Sequence, residues 1–283
     1  VVSALSRWFV NKRGMALGVT VAGVGAGTLV LAPFAQFLIS KFDWRTSYLI
    51  MAGLLLVIAL PLSRLLRLSP SEKEIEAQSK HDNPPSNTAD FTLKQAIKAK
   101  AFWLLFSMYT FSILSYQMVM VHLKAYAVHF GIAKMTAATA LGLVGGTSIG
   151  GRIVMGSLSD RIGRKTSLFI AYLLTAVMML WLIRVRQPWQ LYLFSAIFGF
   201  SYGACVPLFP AIIGDWFGTK FHGSIFGVIS LAAGIGGGIG PLLAGYIFDT
   251  MGSYEIAFMV GAVVLFIATV CSIVIKAPHT EPP

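Results

Sequence analysis

The chain has 283 residues, 56% of them hydrophobic and only 12% charged, with a formal net charge of +11 and a mean hydropathy of +0.76. A soluble domain carries about a quarter charged residues, so this composition excludes water as the main solvent of the surface. The basic residues gather in short clusters at the ends of apolar runs, which is the placement of membrane-flanking charge and argues against a nucleic-acid partner.

A bilayer core about 30 Å thick is crossed by ~20 helical residues rising 1.5 Å each. Runs of that kind fall, in chain order, at 14–40, 46–63, 101–121, 135–157, 166–183, 190–214, 223–248 and 256–275. Each is expected to be a helix, because an open sheet edge has no hydrogen-bond partner in lipid. The fold class is therefore an all-α, polytopic membrane protein with eight visible spans. Position 1 is valine and no leader pattern opens the chain, so residues 1–10 read as the tail of a preceding span and the sequence as lacking its front. Cys205 and Cys271 lie inside apolar runs and suggest buried thiols, not a disulfide framework.

The chain also repeats itself. Trp8-Phe9, Lys12, Gly14 and Gly18 match Trp216-Phe217, Lys220, Gly223 and Gly227, with one inserted residue. Each copy leads into a glycine-rich run with a proline, Pro33 or Pro241, and then into a polar turn with an aromatic pair, Trp44/Tyr48 or Tyr254/Phe258. The second copy closes a unit of six spans, so the first should close an earlier six of which two remain. Four segments follow: 1–67 as the end of an N-terminal bundle, 68–100 as a cytoplasmic linker, 101–275 as a C-terminal six-helix bundle and 276–283 as a cytoplasmic tail. The middle of the linker, Ser69 to Asp90, is polar and holds Pro70, Pro84 and Pro85. Placing both ends of the chain in the cytoplasm puts 15 Lys/Arg on that side and 6 on the other, with Arg152 completing the 22.

After the fourth run comes Gly156-Ser157-Leu158-Ser159-Asp160-Arg161-Ile162-Gly163-Arg164-Lys165. Gly156 permits close helix approach, Asp160 is suited to capping the next helix or pairing with a basic neighbour, and Gly163 turns the chain. Arg161, Arg164 and Lys165 would hold the loop at the headgroups. This segment resembles the signature loop of the major facilitator superfamily, and the resemblance implies a twelve-helix carrier in which this loop follows helix eight. Arg7-Trp8-Phe9 to Lys12-Arg13-Gly14, Trp44-Arg45, Gly238-Ile239-Gly240-Pro241 and Gly245-Tyr246-Ile247-Phe248-Asp249 are similar to the monocarboxylate and oxalate/formate branch, which implies alternating-access transport of small carboxylates across a plasma or inner membrane.

Arg152 is the only charge inside a run. A guanidinium there costs at least ~2.5 kcal/mol on insertion scales, so its default reading is functional, and its planar fork matches a carboxylate in two hydrogen bonds. In the resembling branch an arginine four residues ahead of the signature glycine meets the substrate; the alternative is that Arg152 snorkels or braces the loop. The resemblance departs at two places. Ser148 stands where animal monocarboxylate carriers have an aspartate, and 223–248 holds no lysine where oxalate/formate exchangers have one. Tyr116, Gln117, His122, Tyr202 and Gln36 are further polar candidates for substrate binding, although each residue type also bonds across helices in ordinary packing.

The partners expected are thus a small carboxylate, a coupling proton or counter-anion, and the bilayer. The five histidines are scattered without metal spacing, so neither a metal, a cofactor nor an enzyme is expected. An exporter of drugs or amphiphiles on the same fold, or a non-transporting membrane sensor, stays open on this reading.

Overall fold

The computed structural model describes residues 13–63 and 90–278; within 13–41 it describes the side chains of 15–23, 25–27, 31, 34, 38 and 41. Residues 1–12, including the Trp8-Phe9 copy, and the linker as far as 89 lie outside the described residues. Every described element is a helix: α1 Arg13–Lys41, α2 Trp44–Ser63, α3 Leu93–Lys98, α4 Lys100–His129, α5 Lys134–Ile162, α6 Arg164–Ile183, α7 Pro188–Cys205, α8 Leu208–Phe217, α9 His222–Met251 and α10 Glu255–Val274.

Seven spans among the described residues are long and apolar enough to cross a bilayer, with α7 and α8 counted as one. The eighth expected run, 14–40, lies within α1, whose 29 residues give a rod of ~43 Å. Helix ends follow local chemistry. Asp43 caps α2 by accepting the Thr46 amide at 2.9 Å, Pro188 opens α7, and Gly163 joins α5 to α6 at φ +90°, a conformation that penalises any Cβ. The apolar run 190–214 reads as one span, but the helix breaks after Cys205 and restarts at Leu208. Pro207 supplies no amide hydrogen to continue the ladder.

Around the core, α5 lies against α7 on one side and α1 on the other, α9 lies along α4, and α10 fills the angle between α4 and α6. Lipid is as apolar as leucine, so such helices associate through close packing and interhelical hydrogen bonds more than through hydrophobic exclusion. Tyr126 illustrates this. Its ring sits edge-on to Phe258 at 5.1 Å, while its hydroxyl donates to the Leu182 carbonyl at 2.7 Å and accepts from Arg186 Nη1 at 2.9 Å.

The residues just before α3 are clamped to the turn between α8 and α9. Asp90 Oδ1 accepts the amides of Thr219 and Lys220 at 3.1 and 3.2 Å, and the Phe91 amide donates to the Phe217 carbonyl at 3.0 Å. Gly218 lies between them at φ +82°, where a Cβ would overlap Asp90. Thr92 and Gln95 then form a capping box that starts α3.

Candidate functional site

The site grows from the crossing of α5 with its two neighbours. On one side, a Cβ at Gly203 of α7 would overlap the Ser148 carbonyl, so the missing side chain lets α7 approach until Tyr202 faces α5. On the other, a Cβ at Gly18 of α1 would overlap the Arg152 carbonyl, and one at Gly25 would stand 2.7 Å from Arg152 Nη1 and 2.8 Å from Ile149 Cγ1. Arg152 is thereby enclosed between α1, α5 and α7, and is 2% exposed.

Its guanidinium carbon lies 5.9 Å from the Tyr202 ring centroid, within cation–π range. Tyr202 meets Tyr116 edge-on at 5.0 Å, and the Tyr116 hydroxyl donates to Cys205 Sγ at 3.1 Å, just ahead of the α7–α8 break. Among the described residues, Nε and Nη1 of Arg152 meet no hydrogen-bond partner. A buried donor left unmade costs about 1–3 kcal/mol, more when charged. Such a group gains most from an anionic acceptor that brings two oxygens.

The other sequence candidates are placed differently. His122 Nε2 lies 3.0 Å from the Pro241 carbonyl of α9; a carbonyl only accepts, so Nε2 carries the hydrogen, and the ring rests on Tyr254 at 5.0 Å. Gln117 is half-buried on α4 beside Gly237 of α9. The Gln36 side chain lies outside the described residues. Arg152, Tyr202 and Tyr116 thus form one continuous group, while His122 joins α4 to α9.

The signature loop forms a second cluster at the end of α5. Arg164 Nη1 pairs with Asp160 Oδ1 at 2.6 Å and bonds Ser159 Oγ at 2.5 Å, and its Nε reaches Asp215 Oδ2 at 3.0 Å. Asp160 Oδ2 also accepts the Met15 amide at 3.1 Å, so besides pairing with Arg164 it serves the first turn of α1. An anionic group there answers unpaired amides and the positive end of the helix dipole. A Cβ built on Gly18 would be 3.5 Å from Gly156 Cα, which brings the first signature glycine into the same α1–α5 contact. Arg161 is exposed and Lys165 half-buried. Sequence reasoning missed Gly25, Met15, Ser159 and Asp215; only Asp215 had a signal, standing directly before the repeated Trp216-Phe217.

Fold and site together define a multi-pass helical membrane protein built around a buried interhelical cation. The family model described as Major Facilitator Superfamily matches residues 1–186 and 148–283, and the chain belongs to that family. It is 27% identical over 285 residues to monocarboxylate transporter 12 of Mus musculus, covering 91% of this chain and 58% of that protein. It is 26% identical to the oxalate:formate antiporter of Oxalobacter formigenes, covering 94% and 63%. The solved structure of the Major Facilitator Superfamily transporter FucP in the outward conformation superposes with a TM-score of 0.65 at 18% identity, over 93% of this chain and 68% of that one. The chain spans less than two thirds of the length of these two relatives. It is a transporter-family protein.

Proposed function

We propose that the chain serves a secondary active carrier of small organic anions, monocarboxylates foremost, that works by alternating access with Arg152 binding the carboxylate. The observation that carries this is the buried guanidinium with two unmet donors between α1 and α5. Tyr202 and Tyr116 provide an aromatic wall for the hydrocarbon part of the anion. Gln117, His122 and Gln36 are secondary contacts in this reading. The names of the relatives, monocarboxylate transporter 12 and oxalate:formate antiporter, support the substrate class.

In the same proposal, 1–67 and 101–275 belong to two bundles that rock about Arg152, joined by the linker 68–100 and followed by the tail 276–283. The signature loop, the linker and both chain ends face the cytoplasm of a plasma or inner membrane, as the count of basic residues favours. A proton or a counter-anion completes the cycle.

The test is uptake of labelled lactate, formate and oxalate by proteoliposomes carrying the full native reading frame, wild type against Arg152→Lys. The expected result is saturable uptake whose kcat/KM falls about thirtyfold in the variant, the equivalent of about 2 kcal/mol for a broken bidentate charge pair. Uptake indifferent to Arg152 would remove the carboxylate role.

A further inference from the structure

A second cationic feature stands at the end of the bundle opposite the signature loop. There α4 turns into α5, and a concavity of about 440 Å³ opens between them, lined by Val121, Lys124, Ala125, Val128 and Lys134. Its two charged residues are both lysines, and among the described residues neither makes an ion pair. Of the carboxylates at this end, Asp43 caps α2 and Glu255 bonds Arg186 at 2.6 Å, while Asp249 is exposed and lies near Tyr254. The concavity is thus an open basic depression whose apolar residues are exposed at Val121 and Ala125 and half-buried at Val128.

Its position relative to Arg152 follows from helix geometry. Lys134 and Arg152 are 18 residues apart on α5, about five whole turns and ~27 Å, so they project from one face. Along that face Ala138 is exposed, Leu141 is half-buried and Gly145 and Ser148 are buried, so the strip is open at the lysine and closes toward the arginine. On α4, Lys124 lies seven residues beyond Gln117, two turns along the same face. Two helices thus run from a terminal lysine toward a polar group deeper in the span.

We infer that Lys124 and Lys134 form an encounter site for a small organic anion, filled before the anion reaches Arg152. The inference rests on the carrier reading above. The lysines attract the carboxylate, and Val121, Ala125 and Val128 receive its hydrocarbon part. Exposed charge of this kind acts on association and is screened beyond a Debye length of ~8 Å at physiological salt. The site therefore governs capture at low substrate concentration and leaves the turnover of bound substrate alone.

The experiment uses the full reading frame in proteoliposomes with lactate as the probe and has two readouts. The first is the kinetics of lactate uptake at low and high salt for wild type, Lys124→Gln/Lys134→Gln and Lys124→Arg/Lys134→Arg, in neutral phosphatidylcholine and with added phosphatidylglycerol. In neutral lipid the Gln pair should lower kcat/KM roughly fivefold at low salt with kcat unchanged. It should also lose the salt dependence, and the Arg pair should restore both. The second readout is the rate at which a membrane-impermeant amine reagent labels Lys124 and Lys134, followed by peptide mass spectrometry. Lactate should slow it more than chloride at equal ionic strength, in wild type and in Arg152→Lys alike. Lactate protection without flux would keep the site and sink the carrier reading. Flux without protection, or a lysine effect seen only with anionic lipid, would overturn the site, the latter by assigning the hollow to headgroups.

Discussion

The aromatic pair that opens the second helix of each repeat copy is exposed in one and buried in the other. Trp44 and Tyr48 of α2 are 56% and 68% exposed, whereas Tyr254 and Phe258, at the start of α10, are 7% and 0%. The glycines ahead of them diverge as well. In α1, Gly18 and Gly25 meet α5, while their repeat counterparts in α9, Gly227 and Gly234, have nothing within 4 Å; α9 instead uses Gly236 and Gly240, where a Cβ would overlap the Thr110 and Leu114 carbonyls of α4. Among the described residues the two copies therefore meet different neighbours. Among the described residues, α9 and α10 are seated inside a bundle and α1 meets that bundle at α5, while Leu49 and Val57 of α2 are each 74% exposed. A small-residue stripe marks a face that can be approached closely; the neighbour that approaches it is decided elsewhere in the chain.

The largest contrast should appear at the aromatic pair. In the chain of residues 1–283, Phe258→Ala removes a fully buried ring and should cost about 3 kcal/mol or more, against roughly 0.5 kcal/mol or less for Tyr48→Ala; equal losses of thermal stability in detergent would erase the distinction between the copies. Next come the glycines. Gly18→Ala should force α1 from α5 at about 1–3 kcal/mol, while Gly227→Ala, with open space around it, should be neutral or stabilise by up to ~1 kcal/mol. A third step removes the charge beneath α1. Asp160→Asn weakens the Arg164 pair and the bond from the Met15 amide, so that amide should exchange hydrogen about tenfold faster, the equivalent of ~1.4 kcal/mol; unchanged exchange would mean that α1 is held by its glycines alone.

The smallest effect belongs to the exposed cap of α2. Hydrogen bonds from Thr46 hold the Asp43 carboxyl below its usual range. Its folded value being depressed, its stabilising contribution is complete above the unfolded value and fades as pH falls through the folded one. Asp43→Ala should fray the first turn of α2 at neutral pH and match wild type in strong acid, read as amide exchange at Thr46. A difference that persists in acid would assign the cap to geometry and not to charge.

Much of the framework was legible because lipid leaves few choices. Uncharged runs of about 20 residues have to be helices; six of the eight expected runs fall within single described helices, 256–275 ends one residue past its helix, and 190–214 is split between two. Gly163 was readable as a turn because its neighbours leave nothing else to reverse the chain. The break after Cys205 was obscured because hydropathy averages across it, although Pro207 and Pro210 were in plain view. α4 continues eight residues past the apolar run 101–121 because Tyr126 and Ala127 are buried there, a tertiary reason that local apolarity does not contain. At the site, Arg152 was visible from its charge alone. The surfaces that enclose it were not, since Gly25 and Tyr202 come from helices distant in sequence and carry no mark of facing an arginine.

The clamp at Asp90 has a mechanical consequence. Any pull toward α4 from the chain before Asp90 meets the α8–α9 turn first, where three hydrogen bonds hold Asp90 and Phe91. α3 and the first turn of α4 lie beyond that anchor. The arrangement works like the grip on an electrical cable: tension is taken up at the casing before it arrives at the joint, so the position of α4 is insulated from whatever the connecting segment is doing.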